Sequence, residues 1–274
     1  ATTDLESVLG DPTVNLVMIT TNHDSHASLV CRALAAGKHT FVEKPLALSH
    51  EELDSVGRAS EASPNQLLMV GFNRRFSPHI HRCRELLLGR ASPICANILI
   101  NAGEIPANHW VQDEGVGGGR IIGEACHFID LLVYLTGCRV RSVSAHRMGG
   151  SIAVRDDKMA ISITMEDGSV ASINYFANGS KSFPKESISI FSDNRVLAID
   201  NFRLTTGYGF SGFRKLKTLR QEKGHRQQFS SLISTVVSGG EWLIPYEQMK
   251  NVTLASIAAV TAAREERTVE VLHS

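Results

Sequence analysis

Three short groups of polar residues carry side chains that could take part in proton transfer. The first group is Glu43-Lys44-Pro45, directly after a predicted strand at residues 40–42. A lysine at a strand end beside a cleft can be partly desolvated, which moves its pKa toward a value useful in acid/base catalysis. Glu43 could accept a hydrogen bond from a ribose hydroxyl, and the peptide bond before Pro45 could be cis. The alternative is an exposed lysine before a loop.

The second group is Glu124-Ala125-Cys126-His127, which follows three consecutive glycines. In a helix, Glu124 and His127 would lie at i and i+3, on one face. A carboxylate beside an imidazole fixes the tautomer of the ring and raises its basicity, as a general base that removes a hydroxyl proton requires. The alternative interpretation is an ordinary buried histidine with a hydrogen-bond partner.

The third group runs from Thr20-Thr21-Asn22 to His26, after an apolar segment that suits a buried parallel strand. In open parallel sheets, ligands bind beyond the carboxyl ends of the strands. Small hydroxyl and amide side chains there could bind a ribose or a phosphate. The alternative is a polar cap on the helix that follows.

The elements around these groups predict two domains. Strands are predicted at residues 15–20, 40–42 and 67–71, with helices between them, the second opened by the S-x-x-E capping box of Ser49 and Glu52. This alternation predicts a parallel sheet with crossover helices. From residue 76 onward, strands follow one another with few helices, which predicts a mostly antiparallel sheet. The boundaries are therefore placed at 1–75 and 76–274, for an α/β domain followed by an α+β domain.

Composition excludes several classes of protein. The chain has 274 residues, 43% of them hydrophobic, and a formal net charge of zero. A neutral chain offers nucleic acid or an anionic membrane no electrostatic partner, and no apolar run approaches the roughly 20 residues of a membrane span. No signal peptide is visible at the start, and five scattered cysteines fit reduced thiols, so a cytoplasmic protein is expected.

Two further signals predict no site. His79, His81 and Cys83 are not spaced to bind one metal ion from a helix, and no second ligand pair accompanies them, so no metal is expected. The basic stretch at residues 213–226 is interpreted as a solvated loop or strand face rather than as a phosphate site.

Taken in order, these groups resemble the Gfo/Idh/MocA family of oxidoreductases. Its pattern is a strand, T-P-N-x-x-H, A-G-K-H-V, E-K-P, G-x-N-x-R-F, a tryptophan and G-G-G-x-L-x-D-x-G-x-H. The matching residues here are Thr21-Asn22 with His26, Ala36-Gly37-Lys38-His39, Glu43-Lys44-Pro45, Gly71-Phe72-Asn73-Arg74-Arg75-Phe76, Trp110 and Gly117 to His127. Each piece is weak, but together they cover essentially the whole chain. The segment from Asn101 to His127 looks closest to a branch of bi-domain oxidoreductases, which is often fused to a zinc-alcohol-dehydrogenase-like module.

The resemblance implies a partial Rossmann sheet followed by a large, open-faced, mostly antiparallel sheet, with NAD or NADP held in the cleft between them. The implied cofactor contacts are Thr20, Thr21, Asn22, His26, Glu43, Lys44, Asn73 and Trp110. The implied substrate contacts are Arg75, Trp110 and His127, and the implied catalytic residues are Lys44, His127 and Glu124. The cofactor would perform the hydride chemistry while the protein orients it and moves a proton.

The implied function is hydride transfer to or from a hydroxyl or keto group of a sugar, cyclitol or nucleotide sugar. The alternative is a non-catalytic regulator that senses NAD(P) or a sugar on the same fold. Lys44 and His127 discriminate between the two, since a binding module has no need for both in the cleft. The resemblance also implies a homodimer or homotetramer that pairs through the open sheet face.

Two departures from the family pattern bear on these expectations. The family's aspartate four residues before the histidine is Gly123 here, and Glu124 is expected to replace it. No Gly-x-Gly-x-x-Gly precedes the first strand. The resemblance places that phosphate turn within about 70 preceding residues, the length of two βαβ-type units, so the chain is interpreted as an N-terminally shortened form with weak dinucleotide affinity.

Overall fold

The first sheet is small and parallel. The computed structural model describes residues 2–150, 154 and 156–271. Its first sheet has the order β1-β2-β3 and is all parallel. The elements of this part are α1 (Leu5–Gly10), β1 (Leu16–Ile19), α2 (His26–Ala35), β2 (His39–Val42), α3 (His50–Glu61) and β3 (Leu68–Val70). This order of alternating strands and helices confirms the predicted crossover arrangement.

The register of this sheet brings the three strand ends level. Ile19 pairs with Val42, and Val42 pairs with Val70. Because parallel strands end at a common edge, the loops after them share one side of the sheet. α3 begins at the predicted cap, where the Ser49 hydroxyl accepts a hydrogen bond from the Glu52 amide at 3.2 Å. The Lys44-Pro45 peptide bond is cis, which the sequence had left open.

The second sheet is large and mostly antiparallel. Among the described residues it has nine strands, in the order β11-β10-β9-β8-β4-β7-β6-β5-β12. The strands are β4 (Cys95–Asn101), β5 (Val140–Arg147), β6 (Lys158–Met165), β7 (Val170–Phe176), β8 (Glu186–Ser192), β9 (Arg195–Asp200), β10 (Leu204–Tyr208), β11 (Lys215–Lys217) and β12 (Val269–Glu270). Only β4 and β7 pair in parallel among these described strands. The predicted fold class is therefore confirmed.

One face of this sheet is buried and the other is uncovered. In β6, Met159, Ile161 and Ile163 are buried, while Ser162 between them is exposed. Helix α7 packs on β5 of this sheet and α5 packs on α7. The helices of this part of the chain are α4 (Pro78–Leu87), α5 (Cys126–Thr136), α6 (His225–Ser238) and α7 (Tyr246–Glu265). The uncovered face carries a row of small polar residues in register across five strands, namely Ser144, Ser162, Ser172, Asn97 and Ser189.

The helical part of the second domain differs from the sequence expectation in two places. The helix predicted from residue 119 to 135 begins instead with a π-helical turn at Ile121–Ala125 and continues as α5. Helix α6 was not predicted, because its polar surface leaves only Gln228 and Leu232 buried. Its Phe229 packs against Phe41 of β2, with ring centroids 5.2 Å apart, so α6 contacts the first sheet. No helix among the described residues has the length and hydropathy of a membrane span.

Candidate active site

The level strand ends place polar groups at one edge of the first sheet. Thr20, Glu43 and Gly71 are the first residues after β1, β2 and β3. A Cβ at Gly71 would lie 2.9 Å from Oε2 of Glu43, so only glycine allows the Glu43 carboxylate to sit there. The same Oε2 atom accepts a hydrogen bond from the Lys44 amide at 3.3 Å. Glu43 is thereby held with its carboxylate at the sheet edge.

Lys44 reaches from this edge to the π-helical turn of the second domain. Its Nζ donates to Oε1 of Glu124 at 2.6 Å, although the two residues are 80 positions apart. The Lys44 side chain is 16% exposed and that of Glu124 is 36% exposed. Burial disfavours the ionised carboxylate, but Lys44, with Arg74 behind it, outweighs burial and lowers the pKa of Glu124. The contact is therefore an ion pair at the rim of the site.

His127 lies one residue into α5, buried and without a hydrogen-bond partner among the described residues. Its ring stands edge-on to Phe72, with centroids 6.2 Å apart. Burial holds the pKa of His127 well below the usual value, and the positive charges of Arg74 and Lys44 lower it further. His127 is therefore a neutral imidazole whose hydrogen-bonding capacity is left for a ligand.

The expected pairing of Glu124 with His127 is wrong. No hydrogen bond joins the two side chains in the part of the chain that the structure describes, since the π-helical turn directs Glu124 to Lys44 instead. The basicity of His127 is lowered rather than raised, because burial and nearby cations act on it. The carboxylate thus positions the lysine and not the imidazole.

His23 is a site residue that the sequence interpretation missed. It is buried, its Nδ1 donates to the Gly117 carbonyl at 2.7 Å, and burial lowers its pKa to about 4. The next amide, of Asp24, donates to the Val116 carbonyl at 3.1 Å. These two bonds fasten the loop after β1 to the glycine segment before the π-helical turn. A polar residue between Asn22 and Asp24 gives no local sign of such a contact.

The ring of His23 also explains the glycine that replaces the family's aspartate. A Cβ at Gly123 would lie 2.8 Å from Cε1 of His23, closer than real Cβ contacts come. On its other side, His23 meets the edge of Trp110 at a centroid distance of 4.8 Å. Trp110 is 37% exposed at the rim, where it can cover a ligand. The histidine therefore occupies the space that a side chain at position 123 would need.

Three residues predicted to touch ligands are committed to the scaffold instead. The ring nitrogens of His26 lie 2.7 Å from the Pro45 carbonyl and 3.1 Å from the Thr21 carbonyl, in a fully buried position. Asn73 donates from Nδ2 to the Lys223 carbonyl at 2.8 Å. For His26 and Asn73, the structure thus replaces the predicted cofactor contacts with backbone contacts.

Arg75 is the third of these residues. Its guanidinium is buried and donates twice to Asp130, with Nε 3.0 Å from Oδ2 and Nη2 2.5 Å from Oδ1. Its Nη1 also donates to Oε1 of Gln248 at 3.0 Å. The prediction that Arg75 faces the substrate is therefore wrong, because all three nitrogens are engaged inside the protein.

The neighbouring arginine, Arg74, lies near His127. Arg74 donates to Glu186 twice, and its guanidinium lies 4.9 Å from the ring centroid of Phe128, the residue after His127. Lys223 donates to the same carboxylate at 2.6 Å. The basic stretch at residues 213–226 is thus exposed along β11, at Lys215 and Lys217, but its end enters the site.

Thr20, Thr21 and Asn22 remain exposed after β1. The hydroxyls of Thr21 and Ser25 share a hydrogen bond of 2.6 Å, and the Asn22 carbonyl accepts from the Ser25 hydroxyl at 2.8 Å. The side chains of Thr20 and Asn22 have no hydrogen-bond partner among the described residues. The loop is therefore ordered by its own contacts and leaves polar groups for a ligand.

Comparison with known proteins assigns this arrangement to a class. Residues 1–72 match the sequence model of the oxidoreductase family with an NAD-binding Rossmann fold, and residues 86–194 match the GFO/IDH/MocA C-terminal domain. The chain belongs to the Gfo/Idh/MocA family of oxidoreductases, as its motifs indicated.

Two relatives show how the chain compares with whole proteins. An uncharacterized oxidoreductase, YrbE, of Bacillus subtilis is 28% identical over 215 residues, which are 75% of this chain and 61% of that protein. A myo-inositol 2-dehydrogenase of Thermotoga maritima is 24% identical over 97% of this chain and 83% of that protein. The chain thus spans less than two thirds of the first relative.

Solved structures share the fold at low identity. A levoglucosan dehydrogenase in complex with NADH and levoglucosan superposes with a TM-score of 0.85 and 23% identity, over 99% of this chain and 84% of that one. An oxidoreductase domain protein from Kribbella flavida gives a TM-score of 0.84 and 24% identity, over 98% and 83% of the two chains.

The residues present at the edge of the first sheet fit part of a nicotinamide dinucleotide. Glu43 supplies a fixed carboxylate acceptor, Thr20 and Asn22 supply free polar groups, and Trp110 supplies an exposed aromatic face. The unpartnered imidazole of His127 adds a buried group that needs a ligand. These are the partners that ribose hydroxyls, an amide and an aromatic ring require.

Proposed function

We propose that this protein transfers a hydride between NAD or NADP and a hydroxyl or keto carbon of a sugar, cyclitol or nucleotide sugar. The observation that carries the proposal is the contact between Lys44 and Glu124 beside the unpartnered, neutral His127. An ion pair that holds a lysine next to a free buried imidazole is an arrangement for moving a proton, which hydride transfer to or from a C–O group requires. The relatives named as inositol and levoglucosan dehydrogenases support the substrate class.

The residues proposed to hold the cofactor are Thr20, Thr21, Asn22, Glu43 and Trp110, around the edge of the first sheet. When bound, the nicotinamide ring accepts or donates the hydride. Glu43 fixes a hydroxyl by accepting its hydrogen bond, and the first loop approaches with small side chains. Trp110, held edge-on by His23, excludes water from the rim.

The proton is handled by the chain's own residues. When a substrate alcohol is oxidised, its hydroxyl proton must leave as the hydride departs. His127 is neutral, so it can accept that proton, while the ammonium of Lys44 donates a hydrogen bond to the same substrate oxygen and stabilises the developing negative charge. In the opposite direction Lys44 donates a hydrogen bond to the carbonyl oxygen, and His127, protonated for that step, transfers its proton to the same oxygen as the hydride adds to carbon. Glu124 holds Lys44 in position at 2.6 Å.

The test is single-turnover hydride transfer by the full chain with a panel of sugars and cyclitols that includes myo-inositol and levoglucosan. Lys44→Met keeps the length of the side chain but removes its charge, and His127→Asn cannot titrate near neutral pH. Each is expected to lower the rate about 10²-fold or more, with much smaller changes in cofactor affinity. The two losses together should be less than additive, because both residues act on one proton.

Lys181→Met is the matched control, since Lys181 is an exposed lysine with no ion pair in the described structure. Near-wild-type rates in both the Lys44 and the His127 variants would contradict the catalytic assignment. Binding of cofactor and sugar without any hydride transfer in the unaltered protein would favour the regulatory alternative.

We also propose that the uncovered face of the second sheet pairs with a second copy of the chain. Its central row consists of Ser and Asn side chains, which allow two sheets to approach closely. Such a contact would bury about 1,000 Å² or more. The test is light scattering at protein concentrations of tens of micromolar, about ten times a micromolar Kd for the dimer. A monomer at these concentrations would contradict the proposed pairing.

Two lesser proposals concern organisation and location. The division into residues 1–75 and 76–274 follows the change from the parallel to the mostly antiparallel sheet. A cytoplasmic location is supported by the five cysteines, all of which lie in described positions and are free. Limited proteolysis and cell fractionation are the respective tests.

A further inference from the structure

The cluster around Glu186 holds two cations on one carboxylate. Arg74 donates from Nε and Nη2 at 3.1 and 2.8 Å, and Lys223 donates from Nζ at 2.6 Å. The side chains of Arg74, Glu186 and Lys223 are 7%, 0% and 14% exposed. Because one carboxylate, Glu186, is paired with two cations, this nearly buried cluster carries a net charge of plus one.

The excess charge lies beside the proposed catalytic imidazole. Arg74 covers the ring of Phe128, the neighbour of His127 in α5. Lys223 is tied to the same region through its carbonyl, which accepts from Asn73, and it is followed by Gly224 at φ +90°. Arg74 and Lys223 both act electrostatically on the His127 imidazole, so the cluster lies near that ring.

The first turn of α6 adds donors to this region. It begins directly after Gly224, and no side chain caps its free amides. Gln228, in the same turn, is 1% exposed, and its Nε2 has no hydrogen-bond partner among the described residues. Oε1 of Gln227 is also buried without a partner, and Gln227 lines a separate groove with Phe76 and Phe213. An unsatisfied buried donor next to an uncapped helix start and an excess cation is suited to an anion.

Neighbouring charges do not cancel the excess. Lys44 and Glu124 balance each other, and Lys185 is exposed without an ion pair in the described structure. Among the charged groups that act on Glu124, Glu186 and His225, or are those groups themselves, four are cations and three are carboxylates, namely Lys44, Arg74, Lys185 and Lys223 with Glu43, Glu124 and Glu186. In a chain of zero formal net charge, this is a local positive field. Glu222, the residue before Lys223, acts on His79.

The second cation is not needed to keep Glu186 ionised. Arg74 already binds both carboxylate oxygens, and such bidentate pairs are strong. Burial lowers the pKa of Lys223 despite the attraction of Glu186, so folding holds this ammonium at a cost. Lys223 therefore has donor capacity beyond what Glu186 requires, which suits a second anionic partner.

We propose that the substrate carries an anionic group, a carboxylate or a phosphate, which Lys223 and the first turn of α6 bind. This inference rests on the proposed function, because it concerns the same cleft. It narrows the substrate class to acidic sugars such as uronates, sugar phosphates or nucleotide sugars. Binding of the anion would also offset the positive field on His127, so that the imidazole becomes a better proton acceptor when the substrate is present.

The experiment compares each anionic probe with a neutral twin. D-Glucuronate is paired with D-glucuronamide, and glucose 1-phosphate with glucose, which separates the carboxylate from the phosphate source. Affinity is measured by calorimetry, and kcat/KM by cofactor reduction. At least one anionic probe is expected to bind about 10-fold or more tightly than its twin, the range for a hydrogen bond to a charged group.

Lys223→Met is expected to reduce that ratio about 10-fold, since the side chain keeps its length and loses its charge. Arg74 still binds Glu186 in this variant, so the fold is retained. Lys217→Met, on the exposed edge strand β11, is the control and should leave the ratio within about twofold. Glu186→Gln adds one unit of positive charge and should raise the ratio, if that variant folds.

Two results would overturn the proposal. One is a neutral twin that binds as tightly as its anion in the unaltered protein, for both pairs. The other is an unchanged ratio in Lys223→Met. Affinity is read without turnover, so anion-selective binding without hydride transfer would contradict the proposed function and leave the anion site standing. Hydride transfer without anion selectivity would support the proposed function and contradict the anion site.

Discussion

Arg74 and Arg75 are adjacent in sequence, and each enters a different buried ion cluster. Arg75 meets one carboxylate, Asp130, and its remaining nitrogen is satisfied by a neutral amide. Arg74 meets Glu186 together with a second cation, Lys223. The first cluster is balanced, whereas the second has a positive charge in excess.

The difference separates a structural cluster from a functional one. A buried pair with every nitrogen engaged fixes α5 against the turn at Asn73–Phe76 and has no capacity for a ligand. A buried cluster with unbalanced charge, next to unpartnered His127 and Gln228, retains that capacity. Charge balance therefore distinguishes the two arginines, although both lie in the same family motif.

The largest effect is expected when the balanced cluster is broken. Arg75→Met should lower the free energy of unfolding by about 3–5 kcal/mol, because Asp130 is left buried and unpaired. Burial already raises the pKa of Asp130, so the loss should shrink toward acid pH as that carboxyl takes up a proton. Arg74→Met is the matched control and should cost less, since Lys223 still neutralises Glu186. The measurement is urea unfolding of both variants. Equal losses in the free energy of unfolding would show that the two clusters contribute alike to stability.

The acid limb of stability tests the strength of the second cluster. Burial opposes ionisation of Glu186, but Arg74 and Lys223 outweigh it and lower its pKa to about 2. A lowered carboxyl pKa stabilises the fold above pH 4.5, and this contribution, about 3 kcal/mol, is lost as the pH falls toward 2. The measurement is the carbon NMR shift of the Glu186 carboxyl. A midpoint near 4.5 would show that the two cations do not act on it.

The ion pair between Lys44 and Glu124 is more exposed than the two buried clusters, and its variants test the effect of an ion pair on the reaction rate. Glu124→Gln should lower the rate of hydride transfer about 10-fold, less than Lys44→Met, because the amide oxygen still accepts from Lys44 but without charge. A Lys44→Met substitution should then cost less when it is combined with Glu124→Gln than when it is made alone. Independent effects of the two changes would mean that Glu124 does not act through the lysine.

The smallest effect on stability is expected for Lys223→Met, and it tests directly whether the Arg74 cluster differs from the Arg75 cluster. Lys223→Met should leave the free energy of unfolding within about 0.5 kcal/mol or raise it slightly, because the lowered pKa of Lys223 shows that folding disfavours its charge. Chemical denaturation at about pH 7 is the measurement. A clear loss of stability would give Lys223 a structural role and weaken the case for an anion.

Local pattern accounts for most of the fold and for part of the site. The apolar strand β1 and the cap at Ser49 are set by residues a few positions apart, so the sequence predicts them. Helix α6 was not predicted, because few of its residues are buried and its surface is rich in Ser, Thr and Gln. Its boundaries are still marked by Gly224 and Gly239, both with positive φ.

The contacts that define the site span long distances in sequence, and no local signal encodes them. Lys44 donates to Glu124, and His23 donates to the Gly117 carbonyl. Lys223 donates to Glu186, although β11 in the same basic stretch is exposed. A pattern can also mislead. Residues 207–212 have the sequence Gly-x-Gly-x-x-Gly, yet they begin inside β10 and continue into its antiparallel hairpin with β11, where no helix begins. Spelling alone does not make a phosphate turn, since the strand and helix around it supply the chemistry.

The contact between Lys44 and Glu124 also links the proposed chemistry to the relative position of two segments of the chain. One partner follows a strand of the first sheet and the other belongs to the second domain, and 2.6 Å leaves no slack between them. Any opening of the cleft by an ångström or two must break this bond. In the proposed mechanism, Lys44 is therefore held for proton transfer only while the end of β2 and the π-helical turn stay in contact. Any separation of the two segments would release the lysine and remove one group from the proposed proton path.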